Sequence, residues 1–207
     1  HYALDLWIEK RIKPRCDGAA MLIRYADDFV CAFQYRDDAQ SFYDMLPKRL
    51  LEFGLSVAPE KTKIMRFSRF HPSHSRRIVF LGFETYWALD QKGEVRVKQR
   101  TARKKLQGAC RSVKDWVKHN RHLKGMEYIK ALNRRLRGHY NYYSVVGNFR
   151  SLRRFYSWAV KCSFKWLNRR GGKRKSFTWN VFLKAIERLK LAKPEVPLST
   201  KRHRVFS

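Results

Sequence analysis

The sequence predicts an α+β fold: a small, mainly antiparallel sheet with helices, followed by an all-α three-helix bundle. Three observations carry this expectation. Apolar residues come in strand-length blocks up to about residue 98 and then recur at helical spacing. Charge is distributed unevenly: residues 1–95 hold 15 Lys+Arg and 13 Asp+Glu, a net of +2, while residues 96–207 hold 32 and 4, a net of +28. The 44% apolar content of the 207 residues suits a chain that buries a core rather than a disordered one.

In the front half, HYALDLWIEKRIK places Leu4, Trp7, Ile8 and Ile12 at helical spacing. MLIRY and FVCAFQ, rich in Ile, Val, Phe and Tyr, read as strands. Only Ala26, Asp27 and Asp28 separate them, which predicts a hairpin with both carboxylates at its tip. Asp37 and Asp38 are placed to cap a helix over roughly residues 38–53 that stops at Gly54. After APEK, TKIMRF predicts another strand. A basic loop, SRFHPSHSRR, leads into IVFLGFETYWAL, and a turn at DQKG returns the chain into EVRVKQ.

Adjacent aspartates are most often simple turn formers. Here the flanking strands are strongly apolar, so a buried sheet face fixes where both acids point. Like charges this close repel by about 1 kcal/mol or more, depending on the local dielectric. A cation at the tip would remove that cost. Magnesium (Mg²⁺) suits carboxylate oxygens, and paired metals in such sites drive phosphoryl transfer. Asp27 and Asp28 are therefore the candidate metal-binding and catalytic acids.

The back half reads as three amphipathic helices that need one another to cover their apolar stripes. The first sets Leu106, Ala109, Cys110, Val113, Trp116 and Val117 against Lys104, Arg111, Lys114 and Lys118. The second sets Ile129, Leu132, Leu136, Tyr140 and Tyr143 against Lys130, Arg134, Arg137 and Asn141. The third sets Leu152, Tyr156, Ala159, Ser163 and Trp166 against Arg150, Arg154, Lys161 and Lys165. Any one such basic stripe is ordinarily a solvated face. Ordinary surfaces mix both signs, however, and only Asp115, Glu127, Glu187 and Glu195 are acidic after residue 95. A field this one-sided is matched by a phosphate backbone. Helical neighbours lie about 100° apart, so Tyr140, Tyr142 and Tyr143 cannot share one core. Tyr142 is then left either to stack on a base or ribose or to pack on a neighbouring helix. Arg169, Arg170, Lys173 and Arg174 belong to a glycine-hinged basic loop, NRRGGKRKS, and KPEVPLSTKRHR reads as an extended tail. The expected domains are residues 1–98, 99–192 and a tail, 193–207.

YADD (Tyr25 to Asp28) between two apolar strands resembles the catalytic hairpin of reverse transcriptases. GLSVAPEKTKIMRF resembles the palm segment that follows it in the group II intron enzymes, and FLGF resembles their primer-grip region. RGHYNYYSVVGNFRSLRRFYSW resembles the thumb, or maturase (X) domain, and TWNVF lies where that domain's last helix begins. These blocks occur in family order, and the chain is identified as a member of the bacterial group II intron reverse transcriptases/maturases. The resemblance implies a partial polymerase palm followed by a thumb. It implies that Asp27 is the principal metal-binding acid and Asp28 its neighbour. Tyr25 and Ala26 would line the primer-terminus and nucleotide region, and Phe80, Gly82 and Phe83 would support the primer. Lys61 matches a lysine for which a general-acid role toward pyrophosphate has been proposed. Ala58 departs from the polar residue usual before the proline. Implied partners are group II intron RNA or another structured RNA, a DNA primer and dNTPs. Fingers and the first catalytic aspartate of the family would lie upstream of His1, so the chain is expected to be a fragment that does not polymerise alone. Two alternatives remain: a non-catalytic basic RNA-binding or splicing-factor module, and a reverse transcriptase domesticated for spacer acquisition or phage defence.

No run approaches the 18 or so apolar residues a membrane span requires, and no leader follows His1. Cys16, Cys31, Cys110 and Cys162 form no paired motif, which predicts no zinc site, no appended nuclease finger and a reducing, cytoplasmic setting.

Overall fold

The computed structural model describes residues 2–71, 76–90, 92–169 and 176–195. Packing divides the chain into two units, residues 1–81 and 82–207, each with its own apolar core. The charge step near residue 98 falls inside the second unit.

In the first unit the expected N-terminal helix forms, but Tyr2–Leu6 and Ile8–Ile12 wind as wide π-type turns. They bury Leu4, Ile8 and Ile12 against Phe42, Leu46 and Leu50 of α1 (Arg36–Leu51). β1 (Ala20–Tyr25) and β2 (Asp28–Phe33) pair antiparallel, with Tyr25 opposite Asp28. One face of the ribbon, carrying Leu22, Phe29, Cys31 and Phe33, packs on this core. Burial there pushes the Cys31 thiol up to about 12, which removes it as a nucleophile near neutral pH. Met21, Ile23 and Tyr25 lie on the opposite, exposed face.

Two local expectations are corrected. Asp37 and Asp38 do not cap α1, because the helix starts earlier, with Tyr35 as its N-cap and no capping side chain. The Asp38 carboxylate instead accepts from the backbone N–H groups of Asp17 and Gly18, at 3.2 Å each, and ties the loop before β1 to the first turn of α1. The helix does close at Gly54: its φ is 68°, and the Leu55 N–H reaches the Leu50 carbonyl at 3.0 Å in a Schellman-type turn. TKIMRF is not a strand. Residues 62–67 run without regular structure, and a strand needs a ladder partner that this segment lacks among the described residues. IVFLGFETYWAL is two strands, β3 (Ile78–Phe80) and β4 (Phe83–Leu89), because Leu81 and Gly82 both take positive φ, 47° and 77°.

The second unit begins with β4 paired antiparallel to β5 (Val95–Thr101). The turn between them is held by Asp90, whose Oδ1 accepts from the N–H groups of Lys92 and Glu94 at 2.8 and 3.0 Å. α2 (Arg103–Asn120), α3 (Gly125–Tyr143) and α4 (Phe149–Leu167) then form the expected bundle, with α2 lying along α4. The apolar stripe residues named above meet in one core, where each fully buried Leu, Ile or Phe contributes about 1.5–3 kcal/mol, and Ser163 is buried beside it, accepting from the Tyr128 hydroxyl at 2.7 Å. A fourth helix, α5 (Trp179–Arg188), adds Phe182 and Ile186 to it. Thr178 caps α5 by accepting from the Val181 N–H at 3.4 Å.

Polar groups lock this unit at three places. Glu84, 7% exposed, is paired with Arg100 at 2.8 Å and accepts the Arg103 N–H at 3.0 Å, which ties β4 to β5 and to the start of α2. Asn148, 1% exposed, accepts the Thr101 N–H at 2.7 Å and donates to the Thr101 hydroxyl and the Tyr143 carbonyl at 2.8 Å each. Past α5, Lys190 at φ 55° lets the Leu191 N–H return to the Ile186 carbonyl at 2.9 Å. The Asn133 amide of α3 then clasps the segment, donating to the Lys190 carbonyl at 3.0 Å and accepting the Ala192 N–H at 2.7 Å.

Candidate functional site

The acids at the hairpin tip are built by a two-residue turn. Ala26 and Asp27 connect the Tyr25–Asp28 pair, and Ala26 carries the positive φ, 51°, that the first position of a II′-type turn requires. Glycine is the usual residue there. An L-residue in this region is strained, by roughly 1 kcal/mol or more, and persists only when its surroundings hold it.

Arg24 is what holds it. Its Nε and Nη2 grip both carboxylate oxygens of Asp5 at 2.7 Å each, in a bidentate fork. Its Nη1 donates to the Ala26 carbonyl at 2.9 Å. The bonds that Arg24 donates to Asp5 hold the Asp5 carboxyl below the usual carboxylate range. The N-terminal segment is thus fastened to the turn through one guanidinium. Nothing in the local sequence announced it, because the two partners lie 19 residues apart and neither belongs to a motif.

Asp27 and Asp28 are both exposed, and neither is engaged in an ion pair among the described residues. Asp28 shares the open face of the ribbon with Tyr25, its cross-strand partner, which is 66% exposed. Two adjacent, unpaired, hard oxygen donors fit Mg²⁺. Among the described residues no group of three or more His, Cys, Asp or Glu gathers around them, so the pair is a partial ligand set. Lys61 is exposed in a tight turn, where its N–H and that of Thr62 both reach the Ala58 carbonyl at 3.0 Å. It forms no ion pair with either acid.

Phe80 ends β3, half-buried. Gly82 is where close approach is required: a Cβ there would sit 2.9 Å from the Tyr143 hydroxyl oxygen. Phe83 stacks on Tyr142 at 6.0 Å between centroids and meets the edge of Tyr143 at 5.3 Å. Tyr142 thus packs on a strand residue rather than on a neighbouring helix, and its ring remains 56% exposed.

The basic residues of the bundle all reach solvent: Lys104, Arg111, Lys114 and Lys118 on α2, Lys130, Arg134 and Arg137 on α3, and Arg150, Arg154, Lys161 and Lys165 on α4, with Arg169 just beyond. Arg170, Lys173 and Arg174 lie outside the described residues, as does the tail after Glu195. No described helix is long and apolar enough to cross a membrane.

The strand–turn–strand bearing Tyr-Ala-Asp-Asp precedes a basic helical bundle in the chain, and each of these two parts matches a family model. Residues 4–85 match the family of reverse transcriptase (RNA-dependent DNA polymerase), and residues 106–182 match the group II intron, maturase-specific domain. No curated protein matches the chain. With both matches in this order, the chain belongs to the group II intron reverse transcriptases/maturases.

Proposed function

We propose that this chain serves RNA-directed DNA synthesis and intron splicing, with Asp27 and Asp28 holding Mg²⁺ and the basic faces of α2, α3 and α4 holding structured intron RNA. The observation that carries the polymerase reading is the strained Ala26 turn clamped by Arg24, because strain is retained where a geometry is required. Bound Mg²⁺ would supply the charge that activates a primer 3′ oxygen and stabilises the departing pyrophosphate. The chain's own contribution is positional. Arg24 and Asp5 fix the turn, and the turn fixes Asp27 and Asp28. Tyr25 and Ala26 face the primer end and the incoming dNTP, Phe80, Gly82 and Phe83 support the primer, and Lys61 stands ready to protonate the leaving group. A third carboxylate from a further polymerase segment completes the set. By this reading the 207 residues alone do not extend a primer. Extension by the isolated chain, lost in Asp27→Ala, would refute it.

The maturase role rests on charge. Neutralised phosphates let RNA helices approach one another. Binding to structured RNA should fall with salt at a log–log slope of about −6 to −9, the response to neutralising some eight to ten phosphates. A nearly flat response would rule out the basic face as the binding surface. Replacing Lys130, Arg134 and Arg137 by Ala should weaken binding to many RNAs alike.

The second reading is a non-catalytic splicing module, favoured by the placement of nearly all the positive charge, +28 net, in residues 96–207, apart from the acids. Splicing assistance that survives Asp27→Ala while every assembled form fails to extend a primer would select it.

A further inference from the structure

The half-buried indole of Trp166, near the end of α4, gathers three cations from two elements. Lys118 Nζ of α2 lies 5.7 Å from the ring centroid. The Arg121 guanidinium, at the end of α2, lies at 5.7 Å and that of Arg169, after α4, at 5.5 Å. None of the three has a carboxylate partner among the described residues.

Three like charges on one ring repel one another, and two effects offset that in part. Each cation is attracted by the face of the indole, by about 0.5–1 kcal/mol at an exposed site. The C-terminal ends of α2 and α4 meet here, and each contributes roughly half a negative charge. Two helix ends thus cancel about one of the three positive charges and leave about two uncompensated. The nearest acid along α2, Asp115, makes no ion pair with Lys118. A doubly positive cluster around an apolar plate matches a phosphodiester group: guanidinium forks suit its oxygens, and Lys adds a point charge.

We propose that Trp166, Lys118, Arg121 and Arg169 form a discrete phosphate seat in which one RNA backbone phosphate docks. The seat rests on the RNA-binding reading of the bundle and adds to it a defined anchor, with Trp166 and Arg121 as members that charge patterning alone does not single out. Trp166 acts as the platform that aligns the two guanidinium groups and the ammonium toward one point.

The test uses the full chain, an RNA hairpin as probe, and three proteins: the wild type, a Lys118→Gln/Arg121→Gln/Arg169→Gln variant, and a control, Lys184→Gln/Arg188→Gln/Lys190→Gln, that removes the same charge from the region of α5. Affinity is measured across a salt series, and folding is checked by circular dichroism. A single seated phosphate predicts that the seat variant loses about tenfold in affinity at 0.15 M salt and that its slope becomes shallower by about one. The control should change each by much less. Equal losses in both variants would overturn the seat and leave diffuse electrostatic binding. A flat salt response in the wild type would overturn the RNA reading itself, and the seat with it. A second arm titrates inorganic phosphate and then the RNA hairpin while following the indole N–H resonance that Trp166→Phe deletes. A shift with RNA but not with millimolar phosphate supports a backbone seat. A shift with phosphate alone reassigns the cluster to a free anion, and no shift with either removes it.

Discussion

Asn148→Ala is the substitution that most directly tests how the second unit is assembled. Asn148 is the N-cap residue of α4, yet its side chain does not cap the helix. It spends its amide on Thr101 and Tyr143, making three bonds of 2.7–2.8 Å at a site 1% exposed. Each bond contributes about 0.5–1.5 kcal/mol net. Truncation also strands the Thr101 N–H, and an unsatisfied buried group costs about 1–3 kcal/mol, while the Tyr143 carbonyl keeps the Val145 N–H at 2.9 Å. The Thr101 hydroxyl can rotate, and a water can enter the space, which trims the total. The expected loss is about 3–5 kcal/mol. Urea unfolding followed by far-ultraviolet circular dichroism should show a midpoint lowered by about 1.5–2.5 M, given a slope near 2 kcal/mol per M. Asn148→Asp should fare no better, since it keeps the acceptor for Thr101 but turns a second acceptor toward the Tyr143 carbonyl and buries a charge. The exposed Asn141→Ala on α3 should stay within about 0.5 kcal/mol. A loss below 1 kcal/mol for Asn148→Ala would show that β5, α3 and α4 are not joined through this amide.

Three further outcomes follow from the same reasoning. His139 is stacked on Phe155 at 3.9 Å, its Nε2 has no hydrogen-bond partner, and burial pushes its imidazole down to about 4. The neutral form is the one the fold accepts, so this contribution is complete above the unfolded value near 6.5 and is lost as pH falls from there toward 4. With solvent screening allowed for, the loss is about 1–2 kcal/mol, and His139→Phe should flatten the pH dependence of the melting temperature in that window; an unchanged profile would contradict it. Lys190→Gly removes a side chain from a left-handed turn and should stabilise by up to about 1 kcal/mol in the same urea assay, whereas destabilisation would deny the strain. In a primer-extending assembly containing this chain, Arg24→Lys keeps the charge but not the fork, and extension should drop about 10- to 100-fold; full activity would take the clamp out of the mechanism.

The parts of the molecule readable from sequence are those with local signals. The YADD hairpin announces itself through two apolar strands and a short polar gap, and α2, α3 and α4 through stripes repeated every three or four residues. What escaped prediction depends on partners distant in the chain. The role of Asn148 has no local signal because its partner Thr101 is 47 positions away. The clamp by Arg24 likewise depends on Asp5, 19 positions away, and on the Ala26 carbonyl. TKIMRF has the composition of a strand, but composition cannot supply a neighbour to pair with. Asp38 illustrates the opposite error, since a residue type suited to capping was used to tether a loop. The twin positive φ values at Leu81 and Gly82 break a run that reads as one continuous strand, and only the glycine hints at it.

The clasp that Asn133 closes on residues 190–192 sets a practical limit on shortening this protein. A cut after Arg188 would discard no described helix, yet it would remove Leu191, 5% exposed, from the core that α3 and α5 share. Anyone designing a minimal helical unit should therefore keep the strap through Ala192, because its few residues act as the bundle's lid rather than as a dispensable trailer.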